Sequence, residues 1–316
     1  MMDNVKNNLK VFVAGATGMV GSAICRRLRE EGYDLLNGSA PRVDLREQQA
    51  AHNLLRELSP DWVFLAAAKV GGIHANNTYP ADFIYDNLMI QTNVMSASYL
   101  AGVKKLMFLG SSCIYPRQAP QPMKETELLS GYLEPTNEPY AVAKIAGIIT
   151  AQSYNRQHGT NFISVMPTNL YGPNDNFHLE DSHVIPALIR KTHEAKLAGA
   201  DHVKVWGTGN PLREFLHVDD LADACVFLME TYDSSEIVNL GTGVDVTIKE
   251  LALMVKDVVG FTGEIRFDST KPDGTPRKLL DVSRLASLGW GPTISLEEGL
   301  ARTYDWYLAN EDQLRQ

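Results

Sequence analysis

Apolar runs that break into small or polar residues organise the first half of the chain. Residues 9–14 form a β-branched, apolar run ending at Gly15, after which a helical period places Val20, Gly21, Ile24 and Leu28 on one face. Further runs at 33–36, 61–68, 106–109 and 162–166 read as strands, and the 61–68 run is apolar enough to be buried on both faces, as parallel sheets require. Helical periods fall at 81–101 and 140–154. After 167–173 the alternation dissolves. Residues 174–183 are polar and loop-like, 183–196 helical, 203–206, 237–240 and 265–267 short strands; 214–220 lead into a helix, and 271–278 read as a loop. This pattern predicts an α/β chain: a doubly wound parallel sheet with a smaller, irregular C-terminal substrate-binding domain. The expected division is 1–170 plus 211–242 for a dinucleotide-binding domain, and 171–210 plus 243–316 for the substrate.

The two long helices are apolar on more than one stripe. Phe83, Ile84, Leu88, Met89, Ile90, Val94, Met95 and Leu100 in one, with Ile145, Ile148 and Ile149 in the other, need burial on two sides. A homodimer through the 81–101 and 140–154 helices would supply the second side.

Strand, glycine turn and helix follow in the order that a Rossmann-type nucleotide site needs. Gly15 permits the tight turn, Gly18 lets backbone approach a pyrophosphate at the helix N-terminus, and Gly21 lets helix and strand pack closely. The spacing is GxxGxxG instead of GxGxxG, so the βα context and the later strands carry the dinucleotide reading. The second strand ends in Asn37-Gly38-Ser39, without the acidic residue that usually meets a ribose 2′-hydroxyl. Arg42, the first basic group beyond it, suits a 2′-phosphate and leans towards NADP. Asp44 either approaches the adenine end or caps a helix before Leu45.

Composition narrows the class. A chain of 316 residues, 44% hydrophobic and 21% charged, can bury a substantial core. Its formal charge of −9 disfavours a nucleic-acid partner, so an anionic ligand must be held locally. No apolar run is long enough to span a bilayer, and residues 1–10 are polar without a signal-type core. The three cysteines, Cys25, Cys113 and Cys225, show no CxxC spacing, which points to a reducing, cytoplasmic setting and no metal. Cys25 and Cys225 lie in amphipathic helical patterns and read as packing. Cys113 follows a strand.

The stretch 110–144 concentrates the chemistry. Gly110-Ser111-Ser112-Cys113 follows the 106–109 strand, and Tyr140 and Lys144, four apart, share one helix face. Alone, such a pair describes a surface helix. Downstream of a glycine turn and a strand ending in Gly-Ser-Ser, it fits carbonyl reduction. A reference Tyr has a pKa of about 10; a nearby ammonium stabilises its phenolate, and a serine holds the carbonyl oxygen in line with the phenol.

Six stretches in order resemble the extended short-chain dehydrogenase/reductases that act on nucleotide sugars. They are Ala66-Ala67-Ala68-Lys69-Val70-Gly71-Gly72-Ile73, Gly110-Ser111-Ser112-Cys113-Ile114-Tyr115-Pro116, Glu134-Pro135-Thr136-Asn137-Glu138-Pro139-Tyr140, Pro167-Thr168-Asn169-Leu170-Tyr171-Gly172-Pro173, Ser182-His183-Val184-Ile185-Pro186 and Lys271-Pro272-Asp273-Gly274-Thr275-Pro276-Arg277-Lys278. More narrowly, the chain is similar to members that carry out 3,5-epimerisation and 4-reduction of GDP-4-keto-6-deoxy-D-mannose to GDP-L-fucose. The resemblance implies Tyr140 as proton donor, Lys144 as its partner and ribose contact, Ser111 as catalytic serine, and Cys113 and His183 as the epimerisation pair. It also places Gly15, Thr17, Gly18, Met19, Val20, Gly21, Arg42, Leu109, Gly110, Tyr140, Lys144, Pro167, Asn169, Leu170 and His183 along NADP(H), and Lys191, Trp206, Arg213, Asp273 and Lys278 along a GDP-sugar. Some relatives carry a basic residue inside the glycine turn, where this chain has Ala16-Thr17.

The chemistry agrees with these roles. A 4-keto group acidifies C3 and C5, and inversion needs one group to remove a proton and another to deliver one from the opposite face. A thiol with reference pKa about 8.5 and an imidazole near 6.5 suit that work, though Cys113 as a packed residue and His183 as a helix cap are the plain alternatives. The rival functions are a 4,6-dehydratase or 4-epimerase of the same fold and a non-enzymatic NAD(P)-sensing regulator. A dehydratase places Asp-Glu where this chain has Cys113-Ile114, a 4-epimerase needs no second acid/base such as His183, and a regulator has no use for Ser111, Tyr140 and Lys144 together.

Overall fold

The computed structural model describes residues 6, 8–178, 182–271 and 273–314. Its main sheet is parallel and six-stranded, in the order β2 (Asp34–Leu35), β1 (Lys10–Ala14), β3 (Trp62–Leu65), β4 (Lys105–Leu109), β5 (Phe162–Pro167), β9 (Val238–Leu240). Alternation along β1 sorts the two faces. Val11 and Val13 pack with helices α1 (Met19–Glu30) and α7 (Val218–Thr231), while Phe12 and Ala14 pack with α2 (Gln48–Leu58), α4 (Pro80–Leu100) and α5 (Glu138–His158). Helices on both faces explain the near-continuous apolar strands: all five residues of β4 are buried. Each fully buried Leu, Val or Phe adds about 1.5–3 kcal/mol.

The chain steps from β1 to β2 on one side and then to β3 on the other, so the topological switch lies between β1 and β3. The carboxyl ends of β1, β3, β4 and β5 therefore deliver Gly15, Ala66, Gly110 and Thr168 to one crevice.

The half that reads as irregular is built from short strands paired over long sequence distances. β8 (Leu212–His217) pairs in parallel with β6 (Asn169–Tyr171) and β12 (Arg277–Lys278), and antiparallel with β10 (Asp245–Thr247). β7 (His202–Trp206) pairs with β11 (Glu264–Asp268). Against these strands lie α6 (Val184–Leu197), α8 (Ile248–Val259) and α10 (Leu296–Leu314), which bury Ile189, Leu251, Leu300 and Tyr307 in a third core. Alternate residues of β8 join the cores, Phe215 facing the third and Leu216 the first. A capping box of Thr247 and Glu250 starts α8, and Gly260 in the left-handed region ends it. Two short helices, α3 (Ile73–Thr78) and α9 (Ser283–Ser287), complete the described elements.

Some expectations need correction. The 61–68 strand stops at Leu65, and 33–36 shrinks to two residues followed by a single 3-10 turn over Leu36–Gly38. The 214–220 stretch is not simply a lead into a helix but carries most of β8, and the 271–278 loop ends in β12. Asp44 does not cap α2, whose N-cap is Glu47; its carboxylate holds the Arg46 guanidinium instead. On α4, Leu88, Met89 and Ile90 are only half-buried, whereas Asn87, Gln91 and Asn93 are buried. Asn87 donates to Lys69 O and Phe83 O, Gln91 to Ala143 O, and Asn93 to Leu45 O and Arg46 O. These amides stitch the helix to its neighbouring segments, and no apolar period marks them.

Candidate active site

Two glycines of the first turn are demanded by backbone. Gly15 has φ +87°, and a Cβ there would meet Ala67 N at 2.7 Å; a Cβ on Gly21 would lie 2.1 Å from Gly15 O. Gly18 differs, because a Cβ on it would find only Gly15 O, at 3.7 Å. Protein packing does not require Gly18 to be small, whereas close approach of a phosphate does. It is the N-cap of α1, whose first turn carries no acidic residue and is followed by Met19 and Val20, half-buried at the rim beside exposed Thr17. A dinucleotide pyrophosphate fits this helix end.

Past β2, Asn37 is turned inward. Its amide accepts from Val13 N at 2.9 Å and donates to Val13 O at 2.8 Å, so no anionic side chain stands where an adenosine ribose would lie. Arg42 is exposed and has no ion-pair partner among the described residues. A 2′-phosphate reaching this segment would find the Arg42 cation, the nearby Asp44 carboxylate being held by Arg46.

The candidate reacting groups come from the loop after β4, from α5 and from the N-cap of α6. Leu109 and Gly110 close β4, and Ser111 caps the single turn Ser112–Ile114, its Oγ accepting from Cys113 N at 3.3 Å. α5 carries Tyr140 and Lys144 one turn apart. Lys144 is buried, its ammonium donates to Leu109 O at 2.8 Å, and burial holds its pKa down to about 8. The ammonium lies 5.7 Å from the Tyr140 ring centroid, but its hydrogen bond goes to the strand, not to the phenol. Tyr140 is half-buried at the cleft wall. Its pKa is raised by desolvation and the nearby Cys113, with Ser111 pulling the other way. The phenol is thus a proton donor at rest, not the phenolate that an adjacent ammonium would make.

Cys113 is buried, which pushes its thiol up; the Lys278 ammonium, then Ser111 and Lys144, draw it back down. His183 occupies the N-cap position of α6, yet its side chain makes no capping bond. It is open to solvent but ringed by protein. Desolvation and Lys278 hold its imidazole below the usual range. Lys278 thus acts on both thiol and imidazole, which brings two segments seventy residues apart in sequence to one place. Pro167 ends β5; Asn169 donates to Glu214 O at 2.7 Å, and Leu170 is half-buried beside it.

On the other side of the cleft Trp206 is 66% exposed, with the Lys191 ammonium 5.4 Å and the Lys271 ammonium 5.5 Å from its ring centroid. An open indole flanked by two ammonium groups suits a planar, anionic ligand. Lys271 escapes sequence reasoning because only the fold of β7 and β11 brings it to Trp206. Asp273 is largely committed to the protein, accepting from Thr208 N at 2.9 Å and Thr208 Oγ1 at 2.7 Å, while its charge acts on the half-buried Arg213. Glu214 carries no local signal in the sequence either. Fully buried, it accepts from Thr242 N and Gly243 N at 2.7 Å and Leu280 N at 3.0 Å, tying the turn after β9 to the segment after β12. A hollow of 560 Å³ lined by Pro116–Pro120 and Tyr132 lies beyond the catalytic loop and contains none of the reacting groups.

A profile of the NAD dependent epimerase/dehydratase family matches residues 11–241. GDP-L-fucose synthase 1 of Arabidopsis thaliana is 64% identical over 95% of this chain and 94% of that protein. GDP-L-fucose synthase of Escherichia coli (strain K12) is 57% identical over 97% of this chain and 98% of its own length. Among solved structures, a GDP-L-fucose synthetase from Naegleria fowleri bound to NADP superposes with a TM-score of 0.89 at 30% identity, covering 98% of this chain and 97% of that one. Because the likeness runs along nearly the whole chain and not only through the nucleotide turn, this chain belongs to the NAD dependent epimerase/dehydratase family.

Proposed function

We propose that the chain catalyses NADPH-dependent 3,5-epimerisation and 4-reduction of GDP-4-keto-6-deoxy-D-mannose to GDP-L-fucose, the activity named for its GDP-L-fucose synthase relatives. The observation that carries this reading is a thiol, Cys113, set among the Ser111, Tyr140 and Lys144 of a carbonyl reductase, with Lys278 acting on both that thiol and the His183 imidazole.

Ser111 and Tyr140 hold the C4 oxygen. When Cys113 or His183 removes a proton from C3 or C5, the electron pair moves onto that oxygen, and the two hydroxyls stabilise the enolate. The partner group then delivers a proton from the opposite face. NADPH, when bound, supplies a hydride to C4. Tyr140 gives its proton to the C4 oxygen, and Lys144 holds the cofactor ribose. Lys191, Trp206, Arg213, Asp273 and Lys278, joined by Lys271, take the GDP moiety. Residues 1–170 with 211–242 form the cofactor domain in this reading, and 171–210 with 243–316 the substrate domain.

GDP-4-keto-6-deoxymannose supplied with NADPH should yield GDP-L-fucose, identified by NMR of the sugar. NADPH binding without turnover would replace this reading with a regulator, and turnover of GDP-mannose but not of this ketone, by inversion at C4 or by loss of water, would replace it with a 4-epimerase or a dehydratase.

The outer stripes of α4 and α5 support a homodimer. Tyr85 is 60% and Ile149 43% exposed, and the half-buried Leu88 and Ile90 face the same need for cover. Sedimentation at micromolar concentration should give a dimer, and Ile149→Glu should shift it to monomer; a wild-type monomer would refute the interface. No helix among the described residues is long and apolar enough to cross a membrane. Three free, buried cysteines and a charge of −9 suit a cytoplasmic enzyme acting on a small anion, not on nucleic acid.

A further inference from the structure

Three residues of α4, Phe83, Asn87 and Gln91, follow one another at spacing four and are each only 2% exposed, so they form a single buried stripe. Each grips a different part of the site. Gln91 donates to Ala143 O at 2.6 Å, and a Cβ on Gly147 would fall 2.9 Å from Gln91 Oε1, so α4 and α5 meet closely on either side of Lys144. Asn87 accepts from Lys69 N at 3.0 Å and donates to Lys69 O at 2.9 Å and Phe83 O at 2.7 Å, which fastens the segment after β3 to the same helix.

Phe83 completes the stripe. Its ring stands nearly perpendicular to that of Tyr140, at 83° with the centroids 6.3 Å apart, a favourable geometry for two aromatic rings. The Lys69 ammonium, itself held by Asp86 at 3.0 Å and Asp82 at 3.3 Å, lies 5.9 Å from the Phe83 centroid. The ring tip reaches Gly71, where a Cβ would come within 3.1 Å of Phe83 Cζ. A pinned ammonium and the Gly71 backbone therefore leave this ring one place to sit. Lys144 gives its hydrogen bond to Leu109 O, so Tyr140 takes its aim from Ser111 and from the rings and chain packed around it. A change of χ1 well at Tyr140 would swing the hydroxyl away from the C4 oxygen.

We infer that Phe83 is a positioning residue for the reduction: wedged between Gly71 and Lys69, its ring holds Tyr140 in the rotamer that aims the phenol at the C4 oxygen. Phe83 has no polar atom and acts only through Tyr140. The inference rests on the reductase reading above and extends it to a residue of another helix. It also gives the absence of a side chain at Gly71 a purpose, since a methyl there would press on the wedge.

Phe83→Leu keeps an apolar side chain but removes the ring. In single turnovers with GDP-4-keto-6-deoxymannose it should slow NADPH oxidation by about 10- to 10²-fold, the scale of loss that a misplacement near 1 Å brings. KM for the ketone and affinity for NADPH should stay at the wild-type values, and the isotope effect with NADPH deuterated at the transferred position should grow, because the chemical step has become slower. Exchange of the C3 and C5 protons should fall less than reduction, since Ser111 still serves the C4 oxygen. Crystal structures of wild type and Phe83→Leu report χ1 of Tyr140 without any substrate, and the variant should show a displaced or second rotamer. NADPH binding checks the fold; if Phe83→Leu does not fold, Gly71→Ala, which deletes nothing and presses on the ring tip, carries both readouts with the same expected direction. Tyr140 unmoved in the variant, or a loss confined to KM, overturns the inference. A wild type that leaves the ketone unreduced would instead sink the proposed function, with the χ1 comparison still deciding whether Phe83 positions Tyr140.

Discussion

Tyr140→Phe should lower the rate of C4 reduction by about 10³-fold or more, while exchange of the C3 and C5 protons with solvent falls by about 10²-fold. The two reactions part because they ask different things of one phenol. During enolisation it is one of two donors to the C4 oxygen, and Ser111 remains when it is lost. During reduction it must also surrender its proton, for which phenylalanine has no substitute. The environment favours that direction: desolvation and Cys113 keep the phenol protonated, and the Lys144 ammonium donates to Leu109 O. Lys144, held to about 8, is charged below that pH and loses its charge as pH rises through it, so its hold on a ribose should weaken on the alkaline side. Deuterium incorporation and NADPH oxidation, followed in one sample, separate the two effects. Equal losses in both would make Tyr140 an oxyanion donor only.

Local order is what the sequence displays well. The β1 strand, its glycine turn and α1 are contiguous, so period and turn chemistry announce them together, and the Tyr140–Lys144 spacing needs nothing beyond one helical turn. The Ser111–Cys113 loop announces itself because a buried strand ends there. Long-range pairing is another matter. β12 has two residues, and its meaning lies in register with β8, over sixty residues earlier in sequence. Neither Glu214 nor Lys271 carries a local signal, since a carboxylate satisfied by three distant N–H groups and a lysine above a distant indole look like ordinary surface charges. The same limit misreads Asp44, whose partner two residues on outcompetes the cap. Buried amides such as Asn87 and Gln91 interrupt the apolar stripe that predicts α4 while holding the helix to Lys69 and Ala143.

Cys113→Ser and His183→Gln should each slow exchange of the C3 and C5 protons by about 10²- to 10⁴-fold, with NADPH affinity unchanged. Serine keeps the size and hydrogen bonding of the thiol but is far less acidic, so the drop isolates proton affinity from packing. Glutamine keeps much of the reach of the imidazole, yet cannot exchange a proton near neutral pH. His183 stands at the N-cap position without making a capping bond, so its replacement removes no hydrogen bond from α6. With enolisation blocked and Tyr140 intact, NADPH oxidation should continue slowly on the uninverted ketone, giving a GDP-6-deoxyhexose that keeps its original configuration at C5. Mass and NMR analysis of that product distinguishes a stalled epimerase from a damaged fold, which would lose both reactions. Exchange at the wild-type rate in Cys113→Ser would reduce the thiol to packing, the condition of Cys25 and Cys225, both deep in the core between α1 and α7.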